Sequence, residues 1–276
     1  KNVLRHNLMN TKLIAEIGWN HLGNIKLAEK FIKSAAINGA DYCKFQTWSV
    51  KNLKSGAWDL DGRRKIYEKA QLTEADHFEL KRLCKKYKVK FLTSVFNIKD
   101  IPFLRKLNKD CIKIPSHEIY NLKLIKEAIR NFKIVLVSAG AANWSEIIKI
   151  TKLNGYKKKI ILMHCVSSYP LDGKNVNFPK FHQLKKINKY VGYSGHFSKI
   201  DDAILAVSLG ASYVEKHFTI NKKLPGRDNK FAILPEDLKR ICTFRDNYNL
   251  MNINKGKNVQ KCEMDIFKNY RGRWSK

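Results

Sequence analysis

The feature that most constrains this chain is an alternation of a short β-like run with a longer amphipathic stretch, repeated eight times. The short runs are 13–17, 42–45, 90–93, 111–114, 134–137, 160–164, 191–193 and 213–216. After them come stretches with apolar residues at helical spacing: 26–37, 73–88, 99–107, 122–130, 144–153, 178–187, 200–209 and 235–247. In the first of these, Leu27, Phe31, Ile32 and Ala35 share one face and Gly39 marks a stop. Thr73 with Asp76, and Asn143 with Glu146, have the spacing of helix-start boxes. Parallel neighbours in a sheet need a crossover, most often a helix, so this order predicts βαβ units. Eight of them within 276 residues predict an α/β fold, a (β/α)8 TIM barrel. No G-x-G-x-x-G follows the first run, which argues against a doubly wound dinucleotide fold.

Residues 48–69 read as a long polar and aromatic loop, and no linker interrupts the pattern before Met251. The expected organisation is a catalytic barrel over 1–250 and a polar tail over 251–276. The basic start, 1–12, lacks the apolar core of a signal peptide. No apolar run reaches the roughly 18 residues that a membrane span requires.

Lys and Arg number 54 against 24 Asp and Glu, a formal net charge of +30. A polyanion-binding protein is one reading. The basic residues are scattered, however, with no aromatic-interleaved stripe, so nucleic acid is not expected as a partner. The field still serves to gather a small anionic substrate. The six cysteines, Cys43, Cys84, Cys111, Cys165, Cys242 and Cys262, form no C-x-x-C pair. Several sit in apolar runs as small hydrophobes, and a reducing, cytoplasmic location is the expectation.

In a TIM barrel the reactive groups stand where strands run into the following loops. Here those positions are polar: Glu16; Lys44 and Gln46; Thr93 and Ser94; Lys113, Ser116, His117 and Glu118; Ser138; His164, Ser167, Ser168 and Tyr169; Ser194 and His196; Glu215 and His217. A single Ser or Lys at a strand end is usually solvated, and a lone His is usually structural. Their convergence on one mouth is the informative point. Lysines and hydroxyls together suit phosphate or carboxylate, and histidines on adjacent strands suit a divalent metal with open positions.

These residues carry a resemblance. Ile14-Ala15-Glu16-Ile17-Gly18 with Asn20-His21 and Gly23, and Gly39-Ala40-Asp41 with Lys44-Phe45-Gln46-Thr47, resemble the first two motifs of the sialic acid synthase family. Lys113-Ile114 with Ser116 and Glu118, and His164-Cys165-Val166-Ser167 with Tyr169-Pro170, resemble two more. Gly192-Tyr193-Ser194-Gly195-His196, Glu215-Lys216-His217-Phe218-Thr219 and Pro225-Gly226-Arg227-Asp228 complete the set in order.

The resemblance implies a transferase that condenses phosphoenolpyruvate with an N-acetylamino-sugar aldehyde, forming a nonulosonic acid and releasing phosphate. It implies that His196 and His217 bind a divalent metal, Mn2+ or Mg2+. Lys44, Ser94, Lys113, Ser116, Ser138, Ser167 and Ser194 would hold phosphoenolpyruvate. Gln46, Tyr169 and Asp228 would face the sugar, with Glu16 and Glu118 handling protons. Several positions depart from the family pattern: Ala139 stands where Thr is frequent, His117 where Gly is usual and would crowd the site, Ser167 where Asn is frequent, and Arg227 where Pro is usual. Residues 270–276 resemble the linker to a small C-terminal antifreeze-like domain, which in relatives reaches a partner's site. A chain without that domain is expected to keep metal and phosphoenolpyruvate binding and to lose sugar affinity, and a homodimer is the expected assembly. The alternatives are another phosphoenolpyruvate or aldol barrel enzyme acting on a sugar phosphate, which would need extra Arg or Lys at the mouth, and a non-catalytic binding relic.

Overall fold

The computed structural model describes residues 10–275, and the first nine residues of the basic start lie outside them. Eight parallel strands close into a barrel in chain order: β1 Lys12–Glu16, β2 Tyr42–Thr47, β3 Lys90–Val95, β4 Cys111–Ile114, β5 Ile134–Ser138, β6 Ile160–Cys165, β7 Val191–Gly195 and β8 Tyr213–His217. The seam pairs β1 with β8, setting Glu16 opposite His217.

Helices follow the strands: α1 Ile25–Ile37, α2 Arg63–Ala70, α3 Glu74–Lys86, α4 Ile101–Leu107, α5 Leu122–Asn131, α6 Trp144–Thr151, α7 Tyr156–Lys159, α8 Phe178–Ile187, α9 Asp201–Ser208 and α10 Pro235–Met251. The start of α3 forms as its residues require. The Thr73 hydroxyl accepts from the Asp76 N–H at 3.1 Å, and the Asp76 carboxylate accepts from the Thr73 N–H at 2.8 Å. At α6 the Glu146 carboxylate accepts from the Asn143 N–H. Two expectations need correction. Part of the 48–69 loop is helical, as α2, and several strands run one or two residues further toward the mouth than their apolar runs suggested.

Side chains on a strand alternate between faces, and the barrel uses both. The outward residues, such as Phe45, Ile112, Val137 and Val214, pack on the helices as the main core. The inward residues at the lower end, Ile14, Tyr42, Leu92, Cys111, Leu136, Ile161, Met163 and Tyr213, form a separate apolar plug. Two residues further along these seven strands the inward positions become Glu16, Lys44, Ser94, Lys113, Ser138, Cys165 and Glu215, and β7, whose Gly192 lies against Met163 of the plug, adds Ser194. The apolar plug thus supports a polar layer, and it positions the site. Gly23, at φ +73°, lets the loop after β1 press on the end of α2; a Cβ there would sit 2.2 Å from the Lys69 carbonyl oxygen. Past Met251 the chain runs on with a short helix, α11 Met264–Asn269, and no residue of 252–275 is buried. Among the described residues no helix is long and apolar enough to cross a membrane.

Candidate active site at the barrel mouth

A cavity of about 690 Å³ opens at the ends of the strands. Its walls include Glu16, Lys44, Gln46, Ser94, Lys113, Ser116, Glu118, Ser138, Tyr169, Ser194, His196, His217 and Asp228. Every residue to which the resemblance gives a role lines it except Ser167, which reaches the wall through a 2.8 Å hydrogen bond with Ser116. Three strand-end residues face elsewhere. His164 points out of the barrel, hydrogen-bonded to the Val176 carbonyl and packed on Phe178 and Tyr193. Thr93 bonds Thr47, whose hydroxyl meets His77, so this trio also lies behind the strands. Ser168 is exposed and donates to the Pro170 carbonyl.

The floor is a buried cluster of four charges. Lys44 Nζ lies 2.8 Å from Glu16 Oε2 and 3.6 Å from Glu215 Oε1, and donates to Ser94 Oγ at 2.9 Å. Lys113 Nζ donates to Glu215 Oε2 at 2.8 Å, and Ser194 Oγ donates to Glu215 Oε1 at 3.2 Å. Burial pushes the Glu215 carboxyl up, but Lys113 and Lys44 more than reverse this and hold it near 2, so it is ionised. Burial opposes the charge of Lys44, and Glu16 and Glu215 outweigh it, so its pKa is raised. Glu16 behaves differently. Burial dominates over Lys44, and the nearby Glu215 adds to it, so its carboxyl is pushed above the ordinary range. Glu16 is also held in place, accepting from Gln46 Nε2 at 2.8 Å, while Gln46 Oε1 accepts from Trp48. One pair of carboxylates therefore offers two protonation tendencies. The sequence reading named Glu215 at its strand end but gave it no role.

His196 and His217 lie across from this floor with ring centroids 5.5 Å apart. Burial lowers His196 to about 4 and His217 well below its ordinary value, so both imidazoles are neutral at physiological pH. His196 Nδ1 bonds the Val166 carbonyl at 2.8 Å; a carbonyl accepts, so Nδ1 carries the proton and Nε2 keeps its lone pair. His217 Nδ1 is buried with no hydrogen-bond partner, 3.4 Å from Asp228 Oδ2. Two neutral histidines, one with an orphaned ring nitrogen, offer nitrogen donors of the kind a divalent transition metal accepts. Among the described residues no group of three His, Cys, Asp or Glu gathers into a ready cage. The fit is therefore to a two-histidine site with open positions rather than to a closed structural one.

The upper wall contains residues that the sequence reading did not single out. Trp19, Trp48 and Tyr67 stand together, and Lys54, Arg63, Phe96 and Tyr120 complete the rim. His117 packs on Phe96 with the rings tilted and their centroids 5.1 Å apart, on the same wall. Arg227 lies 5.8 Å over the Tyr169 ring and donates to the Tyr169 carbonyl at 3.1 Å. Tyr169 itself packs on His196 at 4.1 Å. Asp228 is pushed up to about 7 by burial and by Glu16.

Comparison with known proteins places this architecture. The NeuB family description matches residues 31–257. The N,N'-diacetyllegionaminic acid synthase of Campylobacter jejuni is 37% identical over 250 residues, covering 84% of this chain and 75% of that protein. The N,N'-diacetyllegionaminic acid synthase of Legionella pneumophila is 31% identical over 255 residues, covering 86% and 72%. The crystal structure of an N-acetylneuraminic acid synthetase from Leptospira borgpetersenii, in complex with citrate, superposes with a TM-score of 0.86 at 28% identity, covering 97% of this chain and 93% of that one.

Proposed function

The chain belongs to the NeuB family, and from that premise we propose that its barrel mouth joins phosphoenolpyruvate to an N-acetylamino-sugar aldehyde. The relatives are nonulosonic acid synthases, and the enzyme is a phosphoenolpyruvate-dependent condensing transferase of this type. The observation that carries the assignment of residues is the floor cluster, where two buried lysines and a ring of serines lie below two neutral histidines.

Lys44 and Lys113 hold the phosphate and carboxylate of phosphoenolpyruvate as point charges, displacing part of their pairing with Glu16 and Glu215. Ser94, Ser116, Ser138 and Ser194 add directional hydrogen bonds, and Ser167 acts through Ser116. Gln46, Tyr169 and Asp228 face the sugar. His196 and His217 would hold a divalent cation, Mn2+ or Mg2+, which supplies Lewis-acid polarisation of a carbonyl when bound. Carbon 3 of phosphoenolpyruvate attacks the aldehyde carbon, and the aldehyde oxygen becomes a hydroxyl. Water adds to the electron-poor carbon 2. The bond between carbon 2 and the bridging oxygen then breaks, leaving a 2-keto acid and inorganic phosphate. Glu16 is the base for the water, because its raised pKa makes it a better proton acceptor than Glu215, held near 2. Glu118, half-buried and also pushed up by burial, supplies the proton to the new hydroxyl.

One observation supports a second acceptor, a sugar phosphate: Lys54, Arg63 and Arg227 stand at the mouth. Arg63 is already paired with Asp61 at 2.5 Å, which weakens that reading. Phosphate release from phosphoenolpyruvate decides, measured with Mn2+ or Mg2+ across N-acetylmannosamine, diacetamido deoxy-sugars and their phosphates. Release that requires an unphosphorylated acetamido sugar is expected; release only with a phosphate ester overturns the assignment.

A further inference from the structure

Behind the two histidines lies a second buried pair of charges, separate from the floor cluster and outside the cavity. Lys216 stands between Glu215 and His217 on β8 and faces α9 and the loop after β7 rather than the barrel mouth. Its side chain is 3% exposed, and that of Asp202, in the first turn of α9, is 1%. The Lys216 ammonium donates to the carbonyls of Phe197 and Lys199 and to both carboxylate oxygens of Asp202, at 2.9 and 2.8 Å. The same carboxylate accepts from the Tyr193 hydroxyl and from the Ala203 N–H, each at 2.8 Å. Both buried charges thus have several partners, the condition under which such a pair holds a fixed geometry. Gly195 is fitted against it: a Cβ there would stand 2.4 Å from Asp202 Oδ2 and 2.5 Å from Cε1 of Tyr193. The pair therefore grips the main chain on both sides of His196. Gly195, before it, abuts the carboxylate, and Phe197, after it, gives its carbonyl to the ammonium. That ammonium belongs to the residue next to His217, so one side chain ties together the two chain segments that carry the histidines. The rings have little else to aim them. His196 bonds the Val166 carbonyl and touches Cys165 Sγ at 4.0 Å, and His217 Nδ1 has no hydrogen-bond partner.

We propose that Lys216 and Asp202 are positioning residues that set the spacing of His196 and His217, and through it the affinity of that pair for a divalent cation. This deepens the metal reading above and rests on it. An ion pair that only stabilises a fold can sit anywhere in it; this one is built on Gly195, Phe197 and Lys216, the immediate neighbours of the two histidines.

The test titrates the metal-free protein with Mn2+ by calorimetry and measures the KM for phosphoenolpyruvate and the Tm of the same variants. Lys216→Met leaves Asp202 buried without its partner, so the double variant Lys216→Met/Asp202→Asn, which removes both charges at nearly constant shape, decides the point if the single variant fails to fold. Arg245→Met is the comparison. Arg245 pairs with Asp41 at 2.6 Å beside the start of β2, at the closed end of the barrel, so its loss costs stability far from the histidines. The variants at 216 and 202 should lose Mn2+ affinity by roughly 10–100-fold, the range for groups that orient metal-ligating histidines. Their KM for phosphoenolpyruvate should change by less than about threefold, a split that general loosening of the barrel would not give. Arg245→Met should lower Tm and keep Mn2+ affinity within about threefold of wild type. Wild-type Mn2+ affinity in the double variant, or an equal loss of affinity in Arg245→Met, overturns the positioning role and leaves the histidine site standing. Absence of Mn2+ binding by the wild-type protein overturns the metal reading, and the positioning role with it.

Discussion

Replacing Glu215 with Gln tests the floor cluster in one step. The change keeps the shape and leaves an oxygen to accept from Lys113, but it removes the charge that faces both lysines. At an effective dielectric near 20, a pair at 2.8 Å contributes about 6 kcal/mol and one at 3.6 Å about 5, before desolvation. Desolvation offsets much of this, and loss of one partner from a buried pair costs on the order of 3–5 kcal/mol. In a chain of this size that lowers Tm by roughly 5–9 °C. The variant floor carries one extra positive charge, which an anionic ligand should neutralise. Phosphoenolpyruvate at about 100 times its Kd adds about 2.7 kcal/mol to any folded state it binds. Glu215→Gln should therefore bind phosphoenolpyruvate more tightly than wild type and recover more Tm from the same added concentration, while kcat falls. The pH dependence has a definite sign. Glu215 is depressed from 4.5 to about 2, so its stabilisation is complete above pH 4.5 and is lost as pH falls toward 2. The gap in stability between wild type and Glu215→Gln should narrow over that window. Thermal melts with and without phosphoenolpyruvate at pH 7 and pH 3.5 read all of this. Equal Tm values for the two proteins at pH 7, or weaker rescue of the variant by phosphoenolpyruvate, would refute the reasoning.

The remaining predictions concern single roles. Lys113→Met should raise the KM for phosphoenolpyruvate by roughly 100-fold and the sugar KM far less, seen in initial rates with each substrate varied. His217→Ala should lower Mn2+ affinity by at least about tenfold in titration calorimetry of the metal-free protein, while circular dichroism shows an intact barrel. Glu16 must be ionised to accept a proton, and its pKa is raised, so kcat/KM should fall on the acid side at a pH above the ordinary 4.5; Glu16→Gln should abolish that limb along with most of the rate.

Much of this was legible from the strands themselves. The run Cys111-Ile112-Lys113-Ile114 shows its two faces directly: the isoleucines pack on the helices, Cys111 joins the plug, and Lys113 takes the next inward position. Position at a strand end did not settle orientation everywhere. In β6 Met163 and Cys165 face inward, so His164 between them must face the helices, and reading that parity needs the strand's true end at Cys165. The role of Glu215 depends on Lys113, 102 residues away, a contact made by closure of the barrel and by no local pattern. The aromatic wall was hidden for a similar reason. Trp48 and Tyr67 sit in a stretch without periodicity, and only the packing of α2 against the loop after β1 brings Tyr67 to Trp19.

The most direct measurement follows the bridging oxygen. Phosphoenolpyruvate labelled with 18O at that atom, incubated with an acetamido sugar and a divalent metal, should give an acid three carbons longer than the sugar and an equal amount of phosphate, with the label in the phosphate. Label retained in the organic product, or phosphate formed at the same rate without sugar, would contradict the account.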